Sequence, residues 1–226
     1  MTTQPEHGVD AAHLMYAAAV RAAARHGFEE TTAGELADAM GISRSTFFRR
    51  FGSKDDVIFS DHEFVLGRLR TLLDATQERT TAAVIQGAME VMQLLIRDRD
   101  TALLRWQLLR ENQPLRDREI IVSHRYERLI SEFLARVAAT GTPDWAPNAL
   151  AAAMVAAHNM RLRVWLREPV GHPLTVLERD LTSIVELFSP WYGDAHEADT
   201  RVVVATFSAQ THPEEVMQAI SEQLTR

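Results

Sequence analysis

Residues Thr31–Lys54 read TTAGELADAMGISRSTFFRRFGSK, and their apolar and turn residues are spaced for two short helices joined by a glycine turn. Thr32 and Glu35 stand three apart as a capping box, in which a threonine hydroxyl and a glutamate side chain satisfy the first free amides of a helix. That predicts a helix over Thr32–Met40 with Leu36, Ala37 and Met40 on one face. Gly41 permits a tight turn, and Ser43 is placed to cap a second helix over Ser43–Phe51. Gly52 ends it, and Ser53 caps a third helix starting at Lys54, whose first turn holds Asp55 and Asp56 at the positive end of the helix dipole.

Helix, turn and helix in this order form the layout in which the second helix enters a DNA major groove. Between Ala39 and Lys54 there is no acidic residue, while Arg44, Arg49, Arg50 and Lys54 are basic, in a chain whose net charge is −7. Such a local patch attracts phosphate although the whole protein is acidic. Arg44, Ser45 and Thr46 lie in the first turn of the second helix, within reach of base edges. Ser43 caps that helix or donates to phosphate, Phe48 and Arg49 follow one turn on near the backbone, and Lys54 is placed to hold a phosphate. Phe47 and Phe51, four apart, share the core-facing side. A helical hairpin whose arginines form a solvated face fits the same pattern.

Outward from this segment the periodicity stays helical. A first helix is predicted over Val9–His26, closed by Gly27, and longer helices near Asp56–Glu78, Thr81–Arg97, Thr101–Asn112, Leu115–Ala139, Asp144–Arg167 and Leu174–Trp191. The breaks are the Asp98–Asp100 cluster, Pro114, Gly141-Thr142-Pro143 and the loop between Glu168 and Pro173. The fold class is therefore all-α, with an expected head over 1–53, a larger helical domain over 54–192 and an extension over 193–226. In the extension, Arg201–Phe207 favours a short strand and Pro213 opens an amphipathic helix. The 226 residues contain no cysteine, which excludes disulfides and thiolate metal sites, and no apolar run approaches the roughly 18 residues of a membrane span. A soluble cytoplasmic protein is the expectation.

Residues 27–57, GFEETTAGELADAMGISRSTFFRRFGSKDDV, resemble the N-terminal module of tetracycline-repressor-type (TetR-like) regulators. The matching positions are Gly27-Phe28, Thr31-Thr32, Leu36-Ala37, Gly41-Ile42-Ser43, Phe47-Phe48, Phe51 and Ser53-Lys54. Thr46–Arg49 and the Trp106–Tyr126 region resemble, more weakly, regulators associated with the mycofactocin gene cluster. The resemblance implies a homodimeric regulator holding a palindromic double-stranded DNA operator, a repressor released by a small-molecule effector. The DNA-contacting set would be Thr32, Ser43, Arg44, Ser45, Thr46, Phe48, Arg49 and Lys54. Two positions depart from the family: Phe48 stands where a tyrosine hydroxyl usually meets phosphate, and Ala22-Ala23 where a Leu-Phe pair usually fills the head's core. Met15 or Tyr16 is available to fill that space instead.

The family places an effector pocket among the later helices. Met89, Met92, Trp106, Tyr126, His158 and Arg161 are the candidates, each of which also fits plain core packing. Arg161 or Arg163 would pair with an anionic ligand, with Glu168 or with a partner subunit. The stripes Met154, Val155, His158, Leu162 and Leu177, Leu181, Ile184, Phe188 fit either a dimer interface or the chain's own core. The nine histidines form no i, i+4 pair on a predicted helix, and no nucleophile or phosphate-loop motif appears, so neither a metal, a cofactor nor an enzyme is expected. The rival reading is a helical ligand-binding protein whose head no longer binds DNA.

Overall fold

The computed structural model describes residues 5–76 and 81–192, with side chains from His13 onward. Every described regular element is helical: α1 Pro5–His26, α2 Ala33–Ala39, α3 Arg44–Phe51, α4 Lys54–Ile58, α5 Ser60–Ala75, α6 Ala82–Ile96, α7 Arg99–Glu111, α8 Gln113–Val137, α9 Ala146–Arg167, α10 Pro173–Leu187 and α11 Ser189–Tyr192. The strand and helix expected beyond residue 193 lie outside the described residues.

The head assembles on α1. Its Val20, Ala22 and Ala23 pack with Phe28, Leu36, Ala37, Met40 and Phe47 in one buried cluster. Tyr16 is buried in the same cluster. Gly27, with φ 86°, turns the chain out of α1, where a side chain would be strained. α1 also packs against α4, α5 and α7, so the first helix belongs to the head and to the body behind it.

One expected helix is two. The chain continues past Lys54, but at Phe59 the backbone leaves helical geometry (φ −116°, ψ 11°), ending α4 and starting α5 at Ser60. Phe59 is itself buried, and packing of its ring outweighs one more helical hydrogen bond. The other breaks fall as expected. Asp98 caps α7 by accepting from the Thr101 amide at 3.1 Å, and Pro114 sits in the first turn of α8, where no amide is needed.

In the body α8, α9 and α10 pack side by side, with α6 against α5, α9 and α10. The two stripes left open between core and interface resolve mainly to core. Met154, Leu177 and Leu181 are fully buried within the chain, Val155, His158 and Leu162 nearly so, and Ile184 and Phe188 are partly exposed. The face of α9 that meets solvent carries Ala152, Ala156, Met160 and Val164.

Candidate functional site

The helix-turn-helix is built by local bonds the sequence announces. The Thr32 hydroxyl accepts from the Glu35 amide (3.2 Å), and Glu35 accepts in return from the Thr32 amide (2.8 Å) and hydroxyl (2.9 Å). The hydrogen bond donated by the Thr32 amide is the main reason the Glu35 carboxyl titrates below its usual value. Gly41 makes the turn at φ 68°. Ser43 accepts from the Thr46 amide (3.1 Å) and donates to the Thr46 hydroxyl (3.0 Å), so both hydroxyls are already engaged at the start of α3.

With Phe47 buried, α3 turns Arg44, Ser45, Phe48 and Arg49 to solvent. The Phe48 ring is 44% exposed, meets Phe47 edge-on at 5.5 Å, and carries the Arg44 guanidinium 5.7 Å from its centre. Arg50 leans back over Phe51 and towards the Met15 sulfur. None of Arg44, Arg49 and Arg50 has an ion-pair partner among the described residues, whereas Arg118, Arg125, Arg161 and Arg163 all do. Lys54 differs from these three. Its ammonium donates to the Phe28 and Glu29 carbonyls at 2.9 and 3.1 Å and stands 4.5 Å from the Phe28 ring centre. It ties the start of α4 to the loop after α1, and a phosphate at Lys54 would have to share it. Thr32, in its capping box, sits at the start of α2.

Behind the head lie two adjoining cavities. The larger, of about 560 Å³, runs along the seam where α1, α3 and α5 face α7, α8 and α9. The smaller leaves about 50 Å³ of room for atom centres and has mainly apolar walls, among them Leu69, Val91, Ile130 and Met154. Leu95, Arg105, Val122 and Leu162 line both.

Of the six effector-pocket candidates, the structure brings Tyr126 and His158 together in the smaller cavity. Met92 is packed in the core, and Trp106 packs against the core from outside. Met89 lines a separate outer hollow with Gln86, Glu90 and Gln93. Arg161 is paired with Asp180, and Arg163 with Glu119 at 3.2 Å, both within the chain.

Periodicity singled out neither His62 nor Arg105, which line this cavity together with Glu119, Ser123 and Asn159. The His62 Nε2 lies 2.9 Å from the Arg105 guanidinium, and its Nδ1 lies 3.0 Å from the Tyr126 hydroxyl. Arginine can only donate, so Nε2 accepts, the proton is on Nδ1, and the Tyr126 oxygen receives it. Burial holds His62 neutral, with its pKa down at about 4, and Arg105 adds to that against the pull of Asp61. Burial likewise lowers His158 to about 4, and its Nε2 has no hydrogen-bond partner. The signal for Arg105 lies in α7 itself. The arginine stands with Thr101, Leu108 and Leu109 on the buried side, where a cation is out of place. Among the described residues no three His, Asp or Glu converge as a metal site, and no helix is long and apolar enough to cross a membrane.

This architecture has relatives. Residues 16–60 match the family model for bacterial regulatory proteins of the tetR family, and residues 78–189 match that of the MftR C-terminal domain. The chain is 26% identical over 172 residues to a mycofactocin biosynthesis transcriptional regulator, MftR, of Mycobacterium tuberculosis, spanning 74% of this chain and 82% of that one. Among solved structures, NalD of Pseudomonas aeruginosa, the secondary repressor of the MexAB-OprM multidrug efflux pump, aligns with a TM-score of 0.55 at 19% identity over 82% of this chain and 98% of its own. The FadR repressor of Thermus thermophilus, in complex with lauroyl-CoA, aligns with a TM-score of 0.52 at 23% identity over 85% and 100%. The two structures share the fold, and the two family models cover both the head and the body. The chain belongs to the tetR family of bacterial regulatory proteins.

Proposed function

We propose that this protein is a homodimeric, cytoplasmic transcriptional repressor that grips an operator through α2 and α3 and lets go when a small molecule occupies the cavities behind α4. The carrying observation is the exposed face of α3, where Arg44 and Arg49 flank Ser45 and Phe48 without a carboxylate to neutralise them. Elsewhere on the chain several exposed arginines are paired, so this face keeps its charge for an outside anion. Arg44, Ser45 and Thr46 read bases, Arg49 contacts the backbone, and Thr32 and Ser43 add contacts from the two helix starts. Phe48 gives this face an apolar contact in place of a hydroxyl. A structural neighbour, FadR in complex with lauroyl-CoA, supports a body that takes small molecules. As a regulator the chain would carry out no reaction of its own.

The dimer would form on the outer face of α9, where Met160 and Val164 are each 49% exposed, and α10 adds Leu187, 77% exposed. A run of exposed apolar side chains on two long helices suits a helix bundle between subunits. Met160→Glu is expected to turn the dimer into monomers in sedimentation, and an unchanged dimer would place the interface elsewhere.

The test of the whole reading is selection of bound duplexes from a random pool, followed by affinity against salt. A palindromic site with a steep negative salt slope is expected. Arg44→Ala should cost about 1–3 kcal/mol at that site, and Arg49→Ala should flatten the salt slope by about one. No enrichment at low salt by a dimer stripped of ligand through unfolding and refolding would favour the rival, a ligand-binding protein with a silent head.

A further inference from the structure

Arg105 is 8% exposed, and no carboxylate lies within ion-pair distance of it among the described residues. Its Nε donates to the Ile58 carbonyl at 3.2 Å, one Nη donates to His62, and its plane lies 4.8 Å from the Phe59 ring centre. The other Nη has no hydrogen bond to a described residue. Burying a guanidinium is costly unless its charge is met. Burial lowers its proton affinity, and the more distant Tyr16, Asp61 and Glu119 together outweigh that. Glu119 is itself engaged by Arg163.

The relay from Arg105 fixes the sense of the next group. Because His62 donates to the Tyr126 oxygen, the Tyr126 proton is left to point at the cavity, and no described residue accepts it. Burial raises the Tyr126 pKa, which keeps that proton in place. Arg105 and Tyr126 are thus two donors on one wall of a narrow, mainly apolar cavity, and Glu119, the carboxylate that also lines it, is already taken up by Arg163. A group made only of acceptors, negatively charged and planar enough to meet both, is a carboxylate.

We propose that the effector is an apolar-bodied carboxylate whose oxygens are taken by Arg105 and Tyr126, with its body along Leu69, Val91, Ile130 and Met154. This deepens the repressor reading by naming the effector's chemistry. The same guanidinium holds the last carbonyl of α4, so the ligand's charged end arrives at a residue that positions the helix behind the reading head. A narrow cavity favours straight chains over branched or fused rings.

The test is calorimetric titration of the full-length dimer at pH 7.5 with straight-chain carboxylates from butanoate to decanoate, each against its own primary amide. The amide keeps the shape and removes the charge. At least one carboxylate is expected to bind ten-fold or more tightly than its amide. Tyr126→Phe should cut that preference several-fold, and Arg105→Met should bring it near one. Tyr126→Phe removes a single oxygen, so it serves even where Arg105→Met does not fold. Equal binding of acid and amide throughout the series, no binding at millimolar concentration, or a preference that survives both substitutions would overturn the proposal. Operator affinity, measured in the same samples, separates the two readings. A carboxylate preference without any DNA binding refutes the repressor and leaves the ligand chemistry standing, and DNA binding with no preference does the reverse.

Discussion

Moving the protein from pH 7.5 to pH 5.0 should destabilise it through two histidines that take no part in the reading head. His62 and His158 are buried neutral, and burial lowers each from an ordinary value of 6.5 to about 4. Above pH 6.5 neither the folded nor the unfolded chain binds a proton at these rings, so stability is level there. Below it the unfolded chain takes up protons that the fold refuses, and stability falls until the pH reaches about 4, where the folded rings also charge. At pH 5.0 this amounts to about 2 kcal/mol for each histidine, about 4 kcal/mol together, against a total of roughly 5–15 kcal/mol for a typical domain. Glu63, Asp98 and Asp180 have lowered values too, but their stability is lost only as the pH falls through the carboxylate range, so pH 5–7.5 belongs to the histidines. His13, also lowered by burial, acts in the same direction. The assay is urea unfolding at fixed protein concentration, because a dimer's stability depends on it. His158→Leu removes one titrating ring at a nitrogen that had no partner, and should halve the slope between pH 7.5 and pH 5.0. His62→Gln keeps an acceptor for Arg105 and a donor for Tyr126, and should do the same. Wild-type stability unchanged to within about 0.5 kcal/mol across this interval would refute the reasoning, as would a full slope in both variants.

Three further outcomes follow from local geometry. Thr32→Ala removes the hydroxyl half of the capping box on α2 and should cost about 1 kcal/mol, read as a lower unfolding midpoint. Lys54→Ala removes two charged hydrogen bonds to the Phe28 and Glu29 carbonyls and should cost about 1–3 kcal/mol; a loss of DNA affinity with stability unchanged would make Lys54 a phosphate ligand alone. Gly87→Ala drives a Cβ into the Leu69 side chain where α6 crosses α5, and should cost about 1–3 kcal/mol in thermal melts, with the smaller cavity reshaped because Leu69 lines it.

The head was legible because its signals are short-range. A capping box, a glycine at positive φ and serines at two helix starts each act within four residues, so sequence spacing alone carries them. Even there, the partners of Lys54 were not visible, since Phe28 and Glu29 lie on the far side of two helices. The body was legible as helices and opaque as a site. Met89, Met92, Trp106 and Arg161 satisfied the same periodic pattern as Tyr126 and His158, and only packing sends the first four to an outer hollow, the core, its flank and an ion pair. The split at Phe59 escaped the pattern for a related reason. A buried ring there overrides residues that on their own would carry one helix through.

α4 has five residues, too few to hold helical form by its own hydrogen bonds. Its position must come from outside, and the structure shows three cations supplying it from three directions. Lys54 ties its first residue to the loop after α1, Arg118 of α8 reaches Asp56 at 2.5 Å, and Arg105 of α7 holds the carbonyl of Ile58. Each is a charge-assisted contact, stronger and more directional than the apolar packing around it. The helix that joins reading head to body is therefore held by polar contacts, which can be exchanged one at a time, in addition to its buried Val57 and Ile58. Of the three cations, Arg105 alone lines both cavities while lacking a carboxylate. Ligand charge can enter the network at that point without breaking an ion pair first.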